Sequence, residues 1–191
     1  MERKFPGEFM IEHLAIEDIV LITPKRFGDD RGFFCETYKH SWFTANVANV
    51  TFVQDNQSLS RQRGVIRGLH FQRPPAGQGK LVRCLKGAIF DVAVDLRSHS
   101  PSYGRWAGAT LTAEKGEQLW IPEGFAHGFC TLEPDTEVFY KVTSEYSPTH
   151  DAGVAFDDPA IGVEWPVAPE EVILSPKDQV LPRLDRLGPV F

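Results

Sequence analysis

No run of the 191 residues approaches the ~18–20 consecutive apolar side chains that a helix needs to span a bilayer. The first residues, MERKFPGEFM, hold no apolar core of the signal-peptide kind, so a cytoplasmic location with no membrane partner is expected. Cysteine is scarce. Cys35, Cys84 and Cys130 are odd in number and far apart, which excludes a disulfide framework and a CxxC zinc site and leaves reduced, mostly buried thiols. Positive charge is in deficit, with 20 Lys and Arg against 26 Asp and Glu, a net charge of −6. That speaks against a nucleic-acid or anionic-membrane partner, yet a small phosphorylated ligand needs only a few Arg and Lys. Internal repeats, low-complexity tracts and a dinucleotide fingerprint are all missing. So are long stretches free of helix breakers: 16 Gly and 14 Pro are scattered throughout. A helical bundle is therefore excluded in favour of many short strands.

What is present suits a folded domain. Hydrophobic residues make up 42% and charged residues 24%, close to a globular average, and 14 Phe supply core bulk. The length fits one domain over 1–191, with 1–14 as a leader and 167–191 as an irregular, Pro-rich C-terminal segment carrying a short helix. AIEDIVLIT (15–23) reads as a strand ended by Pro24, and FGDDRGFF (27–34) as a turn running into aromatics. SWFTANVANV (41–50) reads as a short helix with Ser41 at its N-cap, and TFVQDNQSLS (51–60) as a strand. In the middle of the chain, 81–87 and 88–97 form a strand pair joined at Gly87. Along the second, Phe90, Val92, Val94 and Leu96 fall on one face by period two, and Asp91, Asp95 and Arg97 on the other. Further strands are expected over 105–116, 117–122, 126–132 and 136–144, which together predict an antiparallel sandwich or barrel. SPKD (175–178) has the pattern of a helix start, with Ser at the N-cap, Pro first and Asp third.

Two His-bearing turns stand out, GVIRGLHFQ (64–72) and GEQLWIPEGFAH (116–127). Their spacing resembles the two signature motifs of the cupin superfamily, which implies an all-β, double-sheet jelly-roll β-barrel with a few short helices, mainly near the C-terminus. Metal-binding cupins carry HxH and a nearby Glu in the first motif. Here Phe71 and Gln72 follow His70, and 73–79 contains no acid. Zinc or iron needs three or four protein donors, and only two of the usual ligands remain. The reading is a cupin with no metal. Singly, these residues have plain structural explanations: a hydrogen-bonded turn histidine for His70, a solvated lysine for Lys80, a surface ion pair for Arg67, a core aromatic for Tyr140 and a first-turn helix acid for Asp178.

Taken together they resemble something closer. FGDDRGFFCETY, FVQDNQS, GVIRGLHFQ, GKLVRCLKGAIFDVAVDLR, SPSYGRWAG, LWIPEGFAHGF, EVFYKVTSEYSP, DDPAIGVEWP and SPKD follow in order from about residue 17 to 182. They are similar to the blocks of the dTDP-4-dehydrorhamnose 3,5-epimerase family. The resemblance implies inversion at C3 and C5 of dTDP-4-dehydro-6-deoxy-D-glucose to give dTDP-4-dehydro-L-rhamnose, a step of dTDP-L-rhamnose biosynthesis, without a cofactor and in a homodimer. Both carbons are α to the C4 ketone. The chemistry then needs a base on one ring face, an acid on the other, and a cation or donors at the developing enolate.

The resemblance assigns the base to His70, its orienting carboxylate to Asp178, the enolate cation to Lys80 and the acid to Tyr140. Nucleotide and phosphate contacts fall to Arg31, Glu36, Gln54, Asn56, Arg67, His127 and Lys177. Tyr146 is the aromatic that stacks on thymine. Asp151 stands where the family often has Glu, one methylene longer. The alternatives are a single-site epimerase acting at C3 or C5 only, a non-catalytic sugar-nucleotide binder, and a metal-dependent cupin oxygenase. The last fails on ligand count. Aromatic density in the N-terminal third (Phe27, Phe33, Phe34, Tyr38, Trp42, Phe43, Phe52) adds a reason to expect the homodimer.

Overall fold

A computed structural model describes residues 3–4 and 9–191. Its short strands, punctuated by Gly and Pro, assemble into two facing sheets and a detached hairpin. The larger sheet runs in the order β1 (Arg3–Lys4), β2 (Phe9–His13), β3 (Val20–Pro24), β11 (Gln118–Ile121), β8 (Lys80–Lys86), β13 (Thr136–Val142) and β6 (Gln54–Ser60). The second runs β10 (Trp106–Thr112), β9 (Ala88–Asp95), β12 (Phe125–Thr131), β7 (Ile66–Gln72) and β14 (Asp151–Gly153). β4 (Arg26–Asp29) and β5 (Gly32–Cys35) form the hairpin. Neighbouring strands are antiparallel throughout. The expected all-β, cupin-type architecture is present, with one correction. The two sheets share no strand pairing among the described residues, so the barrel is open, a sandwich rather than a closed cylinder.

Three apolar layers result. Val82, Cys84, Ile89, Ala93, Leu119, Phe129 and Val138 pack between the sheets. Outside the larger sheet, Phe9, Ile11, Ile22, Leu81 and Trp120 pack against Phe43 of helix α1 (His40–Asn46). Phe43 is fully buried, with its ring centroid 5.3 Å from that of Trp120, and such burial contributes about 2–3 kcal/mol. Outside the smaller sheet, Leu69, Phe71, Val92, Val94 and Leu96 lie under Ile161, Leu184 and Trp165 of the C-terminal segment. The period-two split of β9 is therefore present, but both faces are packed and only Phe90 is partly exposed. Asp91 and Asp95 point inward and are fully buried.

Several boundaries differ from expectation. Residues 9–13 are a sheet strand and not leader, because Phe9 and Ile11 are buried and Phe9 stacks on Trp42 at 4.1 Å. Residues 1–2 and 5–8 of that leader lie outside the described residues. The strand expected over 15–23 begins only at Val20, since Leu14 and Ile19 close a turn instead. The helix spans 40–46 with Lys39 at its N-cap, and Ser41 lies inside it. It stops there because Val47, Ala48 and Val50 pack against the outer core. At SPKD only one 3₁₀ turn forms, Asp178–Val180, before Pro182. Ser175 still behaves as a cap: its Oγ accepts from the Asp178 N–H at 3.2 Å and donates to Asp178 Oδ2 at 2.9 Å.

Candidate active site

The two His-bearing strands lie side by side. In the β7–β12 pair, His70 stands opposite His127. Opposed residues project to the same face, so both imidazoles enter the space between the sheets. Gly68 permits this approach. Its φ is +125°, and a Cβ there would sit 2.6 Å from Gly128 Cα.

A cleft of about 550 Å³ opens at this end of the sandwich. Its walls come from both sheets: Arg67, His70 and His127 from the smaller, and Gln54, Asn56, Lys80 and Tyr140 from the larger. The C-terminal segment adds Ser175, Lys177 and Asp178. Tyr146 and Asp151 close one side.

His70 Nε2 and Asp178 Oδ1 are 2.6 Å apart. Burial alone would raise the Asp178 carboxyl, but hydrogen bonding and charge from His70, with Ser175 and Lys177, outweigh it and hold the group below its ordinary value. A carboxylate there accepts the Nε2 proton and leaves Nδ1 as the basic nitrogen. Lys80 is only 6% exposed and donates from Nζ to the His70 carbonyl at 3.2 Å. Burial lowers its ammonium to about 8, against the pull of Asp91 and Asp151. Burial raises the Tyr140 hydroxyl, opposed by Arg67, so the phenol keeps its proton at neutral pH.

The nucleotide-side candidates form a second network. Gln54 donates to Asn56 at 2.8 Å and accepts the Tyr146 N–H at 2.9 Å. Asp151 Oδ2 accepts from the Tyr146 hydroxyl at 3.2 Å and from Lys177 Nζ. Arg67 donates to Ser60 Oγ and the Leu59 carbonyl, both at 3.1 Å.

Arg31 and Glu36 are the two candidates that this chain does not bring to the cleft. Arg31, at the turn of the β4–β5 hairpin, is 90% exposed and pairs with Asp29. Glu36 lies 3.8 Å from Lys39.

Three residues were missed in the sequence. Asp91 Oδ1 lies 2.7 Å from His127 Nε2. Its signal was an acid on the inward period of a buried strand. Ser175 braces Asp178, and Ser is common at caps, so nothing marked it. Gln72, noted only as a non-ligand, donates to the carbonyls of Ala76 (2.6 Å) and Glu145 (3.1 Å) and accepts the Ser147 N–H at 2.6 Å. It pins the loops flanking Tyr146. Among the described residues, no three His, Cys, Asp or Glu side chains gather as a metal-binding group.

The comparisons with known proteins agree with one another. The sequence model for dTDP-4-dehydrorhamnose 3,5-epimerase matches residues 13–186. A Sinorhizobium fredii protein of that name is 55% identical over 184 residues, covering 96% of this chain and 94% of its own length. The crystal structure of a Legionella pneumophila dTDP-6-deoxy-D-glucose-3,5-epimerase in complex with dTDP-4-keto-L-rhamnose superposes with a TM-score of 0.90. It shares 42% identity, over 94% of each chain. A Streptomyces niveus dTDP-4-dehydrorhamnose 3-epimerase is more distant, at 39% identity over 87% of this chain and 79% of its own length. With a match over nearly the whole chain in both sequence and fold, this chain belongs to the dTDP-4-dehydrorhamnose 3,5-epimerase family.

Proposed function

We propose that this chain epimerises dTDP-4-dehydro-6-deoxy-D-glucose at both C3 and C5, giving dTDP-4-dehydro-L-rhamnose in dTDP-L-rhamnose biosynthesis. The observation that carries the proposal is the placement of His70 and Tyr140 on opposed sheets of one cleft, with Lys80 lining the same space. A proton leaves the carbon next to the ketone for His70 Nδ1, and the C–H electron pair becomes the enolate. Lys80 stabilises the negative oxygen. Tyr140 delivers a proton to the other face and becomes a phenolate. Proton exchange with solvent then restores neutral His70 and protonated Tyr140. No redox partner is needed, and the proposed reaction uses neither metal nor cofactor.

At the nucleotide end, Arg67 and Lys177 suit diphosphate, and Tyr146, a residue 55% exposed, suits thymine. Arg31 and Glu36 fit the reading if the working unit is a homodimer whose hairpin reaches the partner's cleft. Phe27, Phe33 and Phe34 of that hairpin are 45%, 59% and 69% exposed, a patch that a second copy would cover. A cytoplasmic setting accompanies the proposal. It is supported by three free cysteines and by the lack, among the described residues, of a helix long and apolar enough to cross a membrane.

The test is to incubate the protein with the keto sugar in D2O, coupled to a 4-reductase. Loss of both the C3 and C5 proton signals with an L-rhamno product is the expected result. Exchange at C3 alone would make the chain a single-site epimerase, and tight binding without exchange a sugar-nucleotide binder.

A further inference from the structure

Asp91 has no part in the mechanism so far, yet it is one of the most enclosed charged groups in the molecule. It lies on β9, the strand beside β12, on the inward face with Ile89 and Ala93. Its residue exposure is 0%, and Oδ1 is held 2.7 Å from His127 Nε2. Oδ2 has no hydrogen-bond partner among the described residues. An isolated carboxylate in such surroundings is costly, so its retention calls for a compensating charge. That charge is Lys80, the enclosed ammonium of the same cleft.

We infer that Asp91 is a positioning residue for the sugar end of the cleft. It fixes His127 with its proton on Nε2, so that Nδ1 is left as an acceptor for a sugar hydroxyl, which moves His127 from the nucleotide contacts where the resemblance put it to the sugar, and it keeps Lys80 charged for the enolate. This rests on the reading of the cleft as the keto-sugar site. The first half follows from hydrogen-bond chemistry. A carboxylate only accepts, so the nitrogen facing it carries the hydrogen, and a neutral imidazole then has its lone pair on the other nitrogen. Burial lowers the His127 pKa, with Asp91 opposing and Lys80 and His70 adding to the fall, so the ring is neutral at pH 7. The second half follows from charge. The groups around Lys80 are Asp91 from β9, His127 from β12, His70 from β7, Asp151 from β14 and Tyr140 from β13. Only the two aspartates favour its cationic form, and Asp151 is already bound to Lys177.

Two substitutions separate the roles. Asp91→Asn keeps the shape and removes the charge. Asp91→Glu keeps the charge and displaces the oxygen that holds His127. For Asp91→Asn, kcat should fall about 10- to 100-fold, by analogy with the carboxylates that orient metal-bound histidines. The alkaline limb of its rate profile should move to lower pH, and the affinity for dTDP alone should be unchanged. For Asp91→Glu, kcat should fall while the alkaline limb stays in place. A 15N spectrum of the ligand-free wild-type protein should show His127 protonated on Nε2, and this stands even if a variant does not fold. Wild-type His127 protonated on Nδ1 would overturn the inference, as would a folded Asp91→Asn protein with unchanged kcat and pH profile. If the wild-type protein fails to turn over the keto sugar, the proposed function fails, while the 15N result still reports on the Asp91–His127 pair.

Discussion

Lys80→Met should make the protein more stable and inactive. The ordinary lysine value of 10.5 falls to about 8 in the folded chain because the ammonium is enclosed, a net fall that already contains the opposing attraction of Asp91 and Asp151. At roughly 1.4 kcal/mol per pH unit, the folded state gives up about 3 kcal/mol to hold that charge. Methionine has nearly the same length and shape and carries no charge. It forfeits the hydrogen bond to the His70 carbonyl, worth about 1 kcal/mol, so the net gain at pH 7 is about 2 kcal/mol. The folded-state value lies below the unfolded one, so the unfolded chain binds more protons between about pH 8 and 10.5. Wild-type stability from this group therefore rises with pH across that window, and the full cost is present below it. Urea unfolding at pH 7 and again at pH 9.5 measures both effects: the variant should lead at pH 7, and the gap should narrow at pH 9.5. Turnover of the keto sugar should be lost at both. A variant less stable than wild type at pH 7, or a gap that widens with pH, would refute the reasoning.

Asp178→Asn should lower kcat with little change in substrate affinity, and the double substitution with His70→Ala should be hardly worse than His70→Ala alone, as measured by steady-state kinetics. Additive losses would reduce Asp178 to the acid of its 3₁₀ turn. Tyr140→Phe keeps the ring's packing, so the variant should still exchange C3 or C5 hydrogens in D2O while completing inversion poorly. Full inversion at both carbons would assign the proton donor elsewhere. Turnover should survive exhaustive EDTA treatment, and stoichiometric metal whose removal abolishes it would contradict the proposed mechanism. Light scattering should give a dimer mass, and a stable monomer at micromolar concentration would leave the exposed hairpin phenylalanines and Arg31 unexplained.

The strands were legible where one residue type alternates with another, as over 88–95 and 136–142, because a period of two is a local property. The ends of elements were not. The helix stops at Asn46 because Val47 and Val50 have packing partners in Trp120 and its neighbours, far along the chain. Likewise Phe9 and Ile11 look like a leader until Trp42 is placed over them. His70, Lys80, Tyr140 and Asp178 do line one cleft, but it was the family's blocks that singled them out, since each had an ordinary explanation of its own. Asp91 escaped because a buried acid and an exposed one look alike in a strand. Only the C-terminal layer, which covers the far side of the sheet, makes β9 buried on both faces.

The His70–Asp178 pair proposed for catalysis joins residues 108 positions apart, one on a sheet strand and one in the segment that coats the sheet from outside. No fragment of the chain can therefore carry a rudimentary version of this site. Closing so long a loop is slow and entropically costly, and it is rewarded only when the C-terminal layer settles on Phe71, Val92 and Leu96. Activity therefore requires the C-terminal layer to be in place, and catalysis reports on the whole molecule. A nick or a slack contact anywhere along the path from Gly153 to Asp178 would silence the enzyme while both sheets still gave the spectrum of a folded protein.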